Sequence, residues 1–116
     1  MEQNTFHQQL KAKIDKYAHL IYQATRKFPK EELYGTISQL RRSALSVMLN
    51  YVEGYARARD KVHKNFLEIS YGSLQESKYL LDFSHKEKYL PENDYALLFK
   101  LAEEIGAMLW GILRKL

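Results

Sequence analysis

The chain has 116 residues, no cysteine and a formal net charge of +4, and hydrophobic residues make up 46% of it. This length supports one hydrophobic core rather than two, so we predict a single domain over residues 1–116. The lack of cysteine excludes disulfides and thiolate sites, and the lack of a long apolar run excludes a membrane-spanning helix.

Four stretches of helical periodicity follow one another along the chain. They are separated by Pro29, by a charged break at Arg59, Asp60 and Lys61, and by Pro91. Proline is tolerated in a first helical turn, so it marks where a helix starts. The pattern predicts helices over about residues 6–27, 30–58, 61–88 and 92–114. Four helices with short connections predict an all-α fold, an antiparallel up-down-up-down four-helix bundle.

The first predicted helix has one narrow apolar stripe, so we expect it to pack on one side only. The N-terminal sequence MEQNTFHQQL lacks the apolar segment of a signal peptide, and we therefore expect a cytoplasmic protein. Residues 1–59 hold ten Lys and Arg against five Asp and Glu, whereas residues 60–116 hold eight against nine. This excess of positive charge favours an anionic partner without requiring one.

The second predicted helix carries a polar stripe that continues for four turns. Its members are Arg42, Ser46, Asn50, Glu53 and Arg57. Apolar residues cover most of the remaining surface of this helix, in two stripes, whereas an ordinary surface helix needs only one. The outer apolar stripe includes Leu45, Leu49 and Val52.

The third predicted helix places serines where large apolar residues are expected. An antiparallel turn near Asp60 would set Asn50 beside Ser70 and Ser73, and Arg42 beside Glu76. We predict a hydrogen-bonded polar network there, formed by Arg42, Ser46, Asn50, Glu53, Ser73 and Glu76. The alternative is a solvated outer face. In a hydrogen-bonded network, removing Arg42 should cost more than the roughly 0 to 1 kcal/mol of a surface pair.

The fourth predicted helix is apolar around most of its circumference, which a single bundle cannot bury. Large exposed apolar areas usually mark interaction surfaces, so the pattern predicts a homo-oligomer, although tyrosine and methionine rims left in water are the alternative. The predicted interface consists of Leu45, Leu49, Val52, Leu97, Leu101, Met108 and Ile112.

The middle of the chain resembles a known bacterial family. The matching string is FPKEELYGTISQLRRSALSVMLNYVEGYARARDKVHKNFLEISYGSLQES. Its motifs are Phe28, Pro29 and Glu32, then Gln39 to Arg42, then Asn50, Glu53 and Gly54, then Gly72, Ser73 and Glu76. The chain is similar to the four-helix-bundle proteins encoded by intervening sequences in 23S rRNA genes. The resemblance implies an all-α bundle assembled into a ring-like homopentamer without enzymatic activity. Through this resemblance, the chain would also be distantly related to a protein that binds a reverse transcriptase and nucleic acid.

The sequence offers little catalytic chemistry. Asp60 with His63, and Asp82 with His85, have the carboxylate-x-x-His spacing of di-iron bundles. The two pairs lie about 33 Å apart on one helix at 1.5 Å per residue, so they cannot share a metal. We predict no metal, no cofactor and no catalytic residue, because phosphate-binding loops and nucleophile motifs are also missing.

Two functional classes remain. In the favoured one, the protein is an assembly or adaptor module that binds RNA, DNA or a nucleic-acid-associated protein. The predicted phosphate contacts are Arg41, Arg42, Arg57, Arg59, Lys61 and Lys64. In the alternative, the polar network between the second and third helices is the site of an enzyme or a small-ligand binder. No membrane partner is expected.

Overall fold

The computed structural model describes residues 5–57 and 60–116, with Asp60 described by its backbone alone. Within these residues the chain is helical and has no strand. Its four α-helices are α1 (Thr5–Thr25), α2 (Ser38–Ala56), α3 (Asp60–Lys86) and α4 (Glu92–Leu113). The all-α prediction is confirmed, and three of the four helices have the predicted bounds to within a few residues.

The predicted start of the second helix is wrong. Instead of a regular helix from about residue 30, a 3-10 turn at Lys30–Glu32 leads into a π-helical segment at Leu33–Ile37. The backbone of Gly35 (φ −111°, ψ −114°) is not helical. The Glu32 carboxylate accepts hydrogen bonds from the backbone N–H (3.1 Å) and hydroxyl (2.8 Å) of Thr36. A Cβ at Gly35 would lie 2.9 Å from Glu32 Oε1, so glycine lets this carboxylate reach its donors.

Leucine and serine alternate along the buried face of α3. Leu67, Leu74 and Leu81 recur every seven residues, as do Ser70, Ser77 and Ser84, and all of them are fully buried. A seven-residue repeat keeps one stripe of a helix against its neighbours. The small serine side chains allow the helix backbones to approach closely, so this stripe forms part of the core.

The buried serines differ in their hydrogen bonds. The Ser70 hydroxyl donates to the Val47 carbonyl (2.7 Å), and the Ser77 hydroxyl lies 2.5 Å from that of Tyr17. Burial raises the pKa of Tyr17. The Ser84 hydroxyl has no partner in the described part of the chain. Two of the three serines therefore tie α3 to neighbouring helices.

Helix contacts join α1 to α2, α2 to α3, α3 to α4, and α1 to α4. This pattern is consistent with the predicted up-down-up-down arrangement. Helices α2 and α3 approach each other closely at Gly54, which is buried and where a Cβ would lie 3.3 Å from Leu67 Cδ2. None of the described helices is long and apolar enough to cross a membrane.

The connection between α3 and α4 uses a left-handed residue. Lys88 has a φ of +67°, and beyond it the amides of Tyr89 and Leu90 donate back to the Ser84 carbonyl (2.9 and 3.2 Å). These bonds satisfy a carbonyl at the end of α3, as in a helix C-terminal motif. At the start of α4, Glu92 and Asp94 lie in the first turn, where the helix dipole favours negative charge.

Candidate functional site

A polar network lies between α2 and α3. The Arg42 guanidinium donates to the Glu76 carboxylate and to Gln39 Oε1 (2.9 Å). One turn along, the hydroxyls of Ser46 and Ser73 lie 2.7 Å apart. The structure therefore brings together these four members of the predicted network across the two helices.

Asn50 takes a different position from the one predicted. Its side-chain amide donates within α2, to the Ser46 carbonyl (2.9 Å) and hydroxyl (3.0 Å). Ser46, rather than Asn50, meets Ser73, and Ser70 bonds to the carbonyl of Val47. Asn50 therefore joins the predicted network through Ser46, which in turn contacts Ser73, and it makes no hydrogen bond of its own to a described side chain of α3.

The charged pairs of this region are half exposed. The side chains of Arg42 and Glu76 are 53% and 44% exposed, and those of Arg57 and Glu53 are 47% and 42% exposed. Exposed ion pairs contribute roughly 0 to 1 kcal/mol, so this exposure favours a smaller cost of losing Arg42 than the sequence predicted. The charged part of the network is therefore partly exposed. This is intermediate between the hydrogen-bonded network that we predicted and the solvated outer face that was the alternative.

Three of the predicted phosphate contacts are engaged within the chain. Arg41 Nε donates to Thr25 Oγ1 (2.9 Å), and its guanidinium lies 4.5 Å from the centre of the Tyr22 ring. Arg41 thus joins α2 to α1, while Arg42 pairs with Glu76. Arg57 pairs with Glu53 and lies 5.4 Å from the centre of the Phe66 ring.

The remaining predicted phosphate contacts are Arg59, Lys61 and Lys64. Arg59 lies outside the described residues. Lys61 and Lys64 are exposed on the first turns of α3, and neither forms an ion pair with another described side chain. Both lysines are exposed to solvent, and the side chain of Asp60, which neighbours them in the sequence, lies outside the described part of the chain.

Residues near the start of α1, the end of α2, the start of α3 and the end of α4 line one cavity. Exposed cations of these four segments gather at this end of the bundle. We call this the basic end, and its cations are Lys11, Arg57, Lys61, Lys64, Arg114 and Lys115. Glu53 and Glu68 lie beside them. Arg114 and Lys115 were not predicted as phosphate contacts. They lie far from Lys61 and Lys64 in the sequence, and only the folded bundle brings the end of α4 beside the start of α3.

Histidine and tyrosine rings also meet at the basic end. The His7 ring lies between two hydroxyls, with Nδ1 2.9 Å from that of Tyr51 and Nε2 3.3 Å from that of Tyr55. The Tyr55 ring also packs edgewise on His63, with centroids 4.8 Å apart. Burial raises the pKa of Tyr51. This cluster was not predicted, because the histidines were considered only as metal ligands. The i,i+4 spacing of Tyr51 and Tyr55 was the signal that could have indicated it.

A cavity of about 410 Å³ opens beside these rings. Tyr55 and His63 line one part of it, and Arg114 and Lys115 line another. The His63 Nδ1–H donates to the Gly54 carbonyl (2.7 Å) and so closes the α2–α3 junction. The basic end therefore combines cations with partly exposed aromatic rings.

The opposite end of the bundle, which we call the far end, contains residues 26–37 and 86–95. The Tyr95 hydroxyl donates to Asp82 (2.5 Å), and His85 Nε2 lies 2.8 Å from the Glu92 carboxylate. The hydrogen bond to Asp82 and burial raise the pKa of Tyr95 to about 12.

Of the two carboxylate-x-x-His pairs, only Asp82 with His85 has both side chains described. Asp82 and His85 bond to different partners. The side chain of Asp60 lies outside the described part, and His63 donates to a carbonyl. Among the described residues, no cluster of three histidine or carboxylate side chains is placed to hold a metal ion.

The predicted oligomer interface is divided by the fold. Leu45, Leu49 and Val52 form an exposed stripe on α2, with Leu49 65% exposed. On α4, Leu97 is exposed, whereas Met108 and Ile112 are partly buried against the core.

The prediction for Leu101 is wrong, because this residue points into the core with the other buried leucines of α4. Trp110, which was not predicted, is 54% exposed.

Comparisons with known proteins agree with this architecture. A family model described as 23S rRNA-intervening sequence protein matches residues 7–111. Among solved structures, the chain is similar to a protein with unknown function from the S23 ribosomal protein family of Bacteroides thetaiotaomicron VPI-5482. That likeness has a TM-score of 0.81 at 21% identity and covers 90% of this chain and 97% of that chain, so it concerns the fold alone. Curated proteins give no match.

Proposed function

The chain belongs to the family of 23S rRNA-intervening sequence proteins, and from this premise we propose that it is a non-enzymatic module that binds RNA through its basic end. The proposal includes the up-down-up-down arrangement of the four helices and their assembly into a homo-oligomer. The polar network between α2 and α3 supports a structural role rather than a catalytic one, because its charged and hydroxyl groups bond to one another.

The observation that carries the proposal is the distribution of charge between the two ends. At the basic end, Lys61, Lys64 and Arg114 are exposed on neighbouring helices, with few carboxylates beside them. At the far end, exposed lysines alternate with carboxylates such as Glu31 and Glu87. A concentration of one sign of charge attracts a polyanion, and contacts with phosphates release counterions and supply affinity.

The exposed apolar stripe of α2 supports self-association. Leu45, Leu49 and Val52 are each 40% exposed or more and follow one another along one side of the helix. We propose that this stripe contacts a second subunit in a ring, which the family resemblance implies is a pentamer. A ring would repeat the basic end once per subunit, so weak single contacts would add as avidity.

Titration of a labelled structured RNA at about 50 and 200 mM salt tests the RNA-binding proposal. The test variant combines Lys61→Ala, Lys64→Ala and Arg114→Ala, and the charge-matched control combines Lys27→Ala, Lys30→Ala and Lys86→Ala at the far end. We expect the wild type to bind with a steep salt dependence. The basic-end variant should bind about ten-fold or more weakly. The slope of log affinity against log salt concentration should fall in magnitude by about 0.9 for each phosphate contact removed. The control should match the wild type in both respects.

Two results would overturn this proposal. One is a wild type that fails to bind RNA at the lower salt concentration. The other is an equal loss of affinity in both variants, which would mean that net charge rather than the basic end attracts RNA. In the first case, a protein partner for the α2 stripe becomes the better interpretation.

Light scattering behind a sizing column tests the assembly. The wild type should elute as a stable oligomer, and Leu49→Glu should reduce its mass to that of a smaller species. Leu33→Glu, at an exposed leucine of the far end, is the matched control. A wild type that remains at 13.7 kDa at all concentrations would contradict the oligomer.

A further inference from the structure

An aromatic pair, formed by the exposed Trp110 and the partly buried Tyr71, joins α3 and α4. Trp110, the single tryptophan of the chain, is 54% exposed. Its ring centroid lies 6.0 Å from that of Tyr71, with the planes inclined by 40°. Tryptophan has a large apolar surface, and burying it releases more free energy than burying most side chains. A half-exposed tryptophan beside a second ring therefore marks a surface suited to a flat ligand.

Two cations, Lys64 and Arg114, lie between this pair and the basic end of the bundle. The Tyr71–Trp110 contact and the Lys78–Glu103 ion pair (2.5 Å) both join α3 to α4. Arg114 follows Trp110 by four residues, about 6 Å along α4.

Lys64 precedes Tyr71 by seven residues, about 10 Å along α3 and within about 20° of the same side. Both Lys64 and Arg114 are exposed. The carboxylate of Glu68 also lies on this side of α3 and offsets part of the positive charge.

Rings and cations in this arrangement suit one class of ligand. Proteins that bind single-stranded nucleic acid stack bases on aromatic side chains while cations contact the backbone. A duplex keeps its bases paired and stacked, so it can use the cations but not the rings. A protein partner would use the apolar rings, but it would not explain the cations on both helices. Charge complementarity therefore favours an unpaired stretch of nucleic acid.

We propose that Trp110 and Tyr71 form a stacking platform for an unpaired base of single-stranded RNA whose phosphates contact Lys64 and Arg114. This inference rests on the proposed function, since it assumes that RNA reaches the basic end. It adds that the bound RNA is single-stranded at this point.

The fluorescence of Trp110 reports on stacking directly, because no other tryptophan contributes to the signal. The wild type is titrated with a short labelled oligoadenylate, and the anisotropy of the label and the emission of Trp110 are followed together. We expect Trp110 emission to be quenched in parallel with the rise in anisotropy. A duplex of the same length should raise the anisotropy without quenching Trp110.

Variants separate stacking from charge. Trp110→Leu should weaken binding of the oligoadenylate by about ten-fold, the order expected for losing one stacked ring, and leave duplex binding unchanged. Trp110→Tyr keeps an aromatic ring and should restore most of the affinity. Tyr34→Leu is the matched control, because Tyr34 is 90% exposed but lies at the far end. Circular dichroism melts verify that each variant is folded.

The outcomes distinguish this inference from the proposed function. If anisotropy shows binding while Trp110 emission stays constant and Trp110→Leu binds normally, the platform is refuted and RNA binding at the basic end stands. If no RNA binds, the proposed function fails and the platform with it. If Trp110→Leu binds RNA normally but forms a smaller oligomer, the ring belongs to a subunit contact, which also overturns the inference.

Discussion

At the basic end, lysines and arginines are exposed with few of the described carboxylates around them, whereas at the far end cations and carboxylates are interspersed and several carboxylates accept hydrogen bonds. There, Glu32 accepts two hydrogen bonds from Thr36, and the Tyr95 hydroxyl donates to Asp82. Both ends contain cations, so the number of lysines does not distinguish them. The difference lies in the balance of charge, because Lys61 and Lys64 have Glu53 and Glu68 as the described carboxylates near them, whereas Lys30 and Lys86 at the far end are each followed directly by a glutamate.

The largest change in stability is expected at the junction that holds the basic end together. Gly54→Ala would place a Cβ 3.3 Å from Leu67 Cδ2 and from Phe66 Cβ. We expect this overpacking to lower the free energy of unfolding by about 1–3 kcal/mol, measured by urea denaturation. Gly72→Ala is the matched control, since nothing lies within 4 Å of its Cβ, and it should be neutral or stabilising by up to about 1 kcal/mol. Equal effects of the two substitutions would contradict the close approach of α2 and α3.

At the far end, we expect stability to fall at high pH. Because the neutral Tyr95 hydroxyl donates to Asp82, its pKa in the folded chain is raised to about 12, above the ordinary value of 10.0. This contribution is fully present below pH 10 and is lost as the pH rises through about 12. Thermal melts of the wild type and of Tyr95→Phe over this range should therefore converge as the pH increases. A constant difference between their melting temperatures would show that the hydroxyl does not stabilise the fold in this way.

Between the two ends, the Arg42–Glu76 pair should matter least. Both side chains are about half exposed, so Arg42→Ala should change the free energy of unfolding by no more than about 1 kcal/mol. The loss should shrink as salt is added, because an exposed pair is screened. A loss of several kcal/mol that does not depend on salt would mean that the pair is buried, for example against another subunit.

The helices could be predicted because their signals are local. Apolar periodicity and the two prolines placed α1, α3 and α4, and a turn near Asp60 brought Arg42 to Glu76. The irregular start of the second helix could not be predicted from periodicity. It depends on a side-chain hydrogen bond from Thr36 to Glu32 that competes with helical bonds and on the space left by Gly35.

The candidate site was only half predictable. Lys61 and Lys64 stood out as a charged turn, but Arg114 and Trp110 are far from them in the sequence and join them only through helix packing. Arg41 was predicted to bind phosphate because charge alone does not show that a guanidinium is already bonded to Thr25. Leu101 was assigned to an interface because a helix that is apolar nearly all round does not reveal which side faces its own core.

Hydrogen exchange measured by mass spectrometry, with and without a saturating structured RNA, tests the assignment of the basic end most directly. We expect RNA binding to slow the exchange of backbone amide hydrogens in residues 50–57, 60–66 and 108–116, which belong to the basic end. We expect unchanged exchange in residues 26–37 and 86–92, at the far end. Protection confined to the far end, or spread equally over both ends, would contradict the claim that RNA binds where exposed cations of all four helices meet.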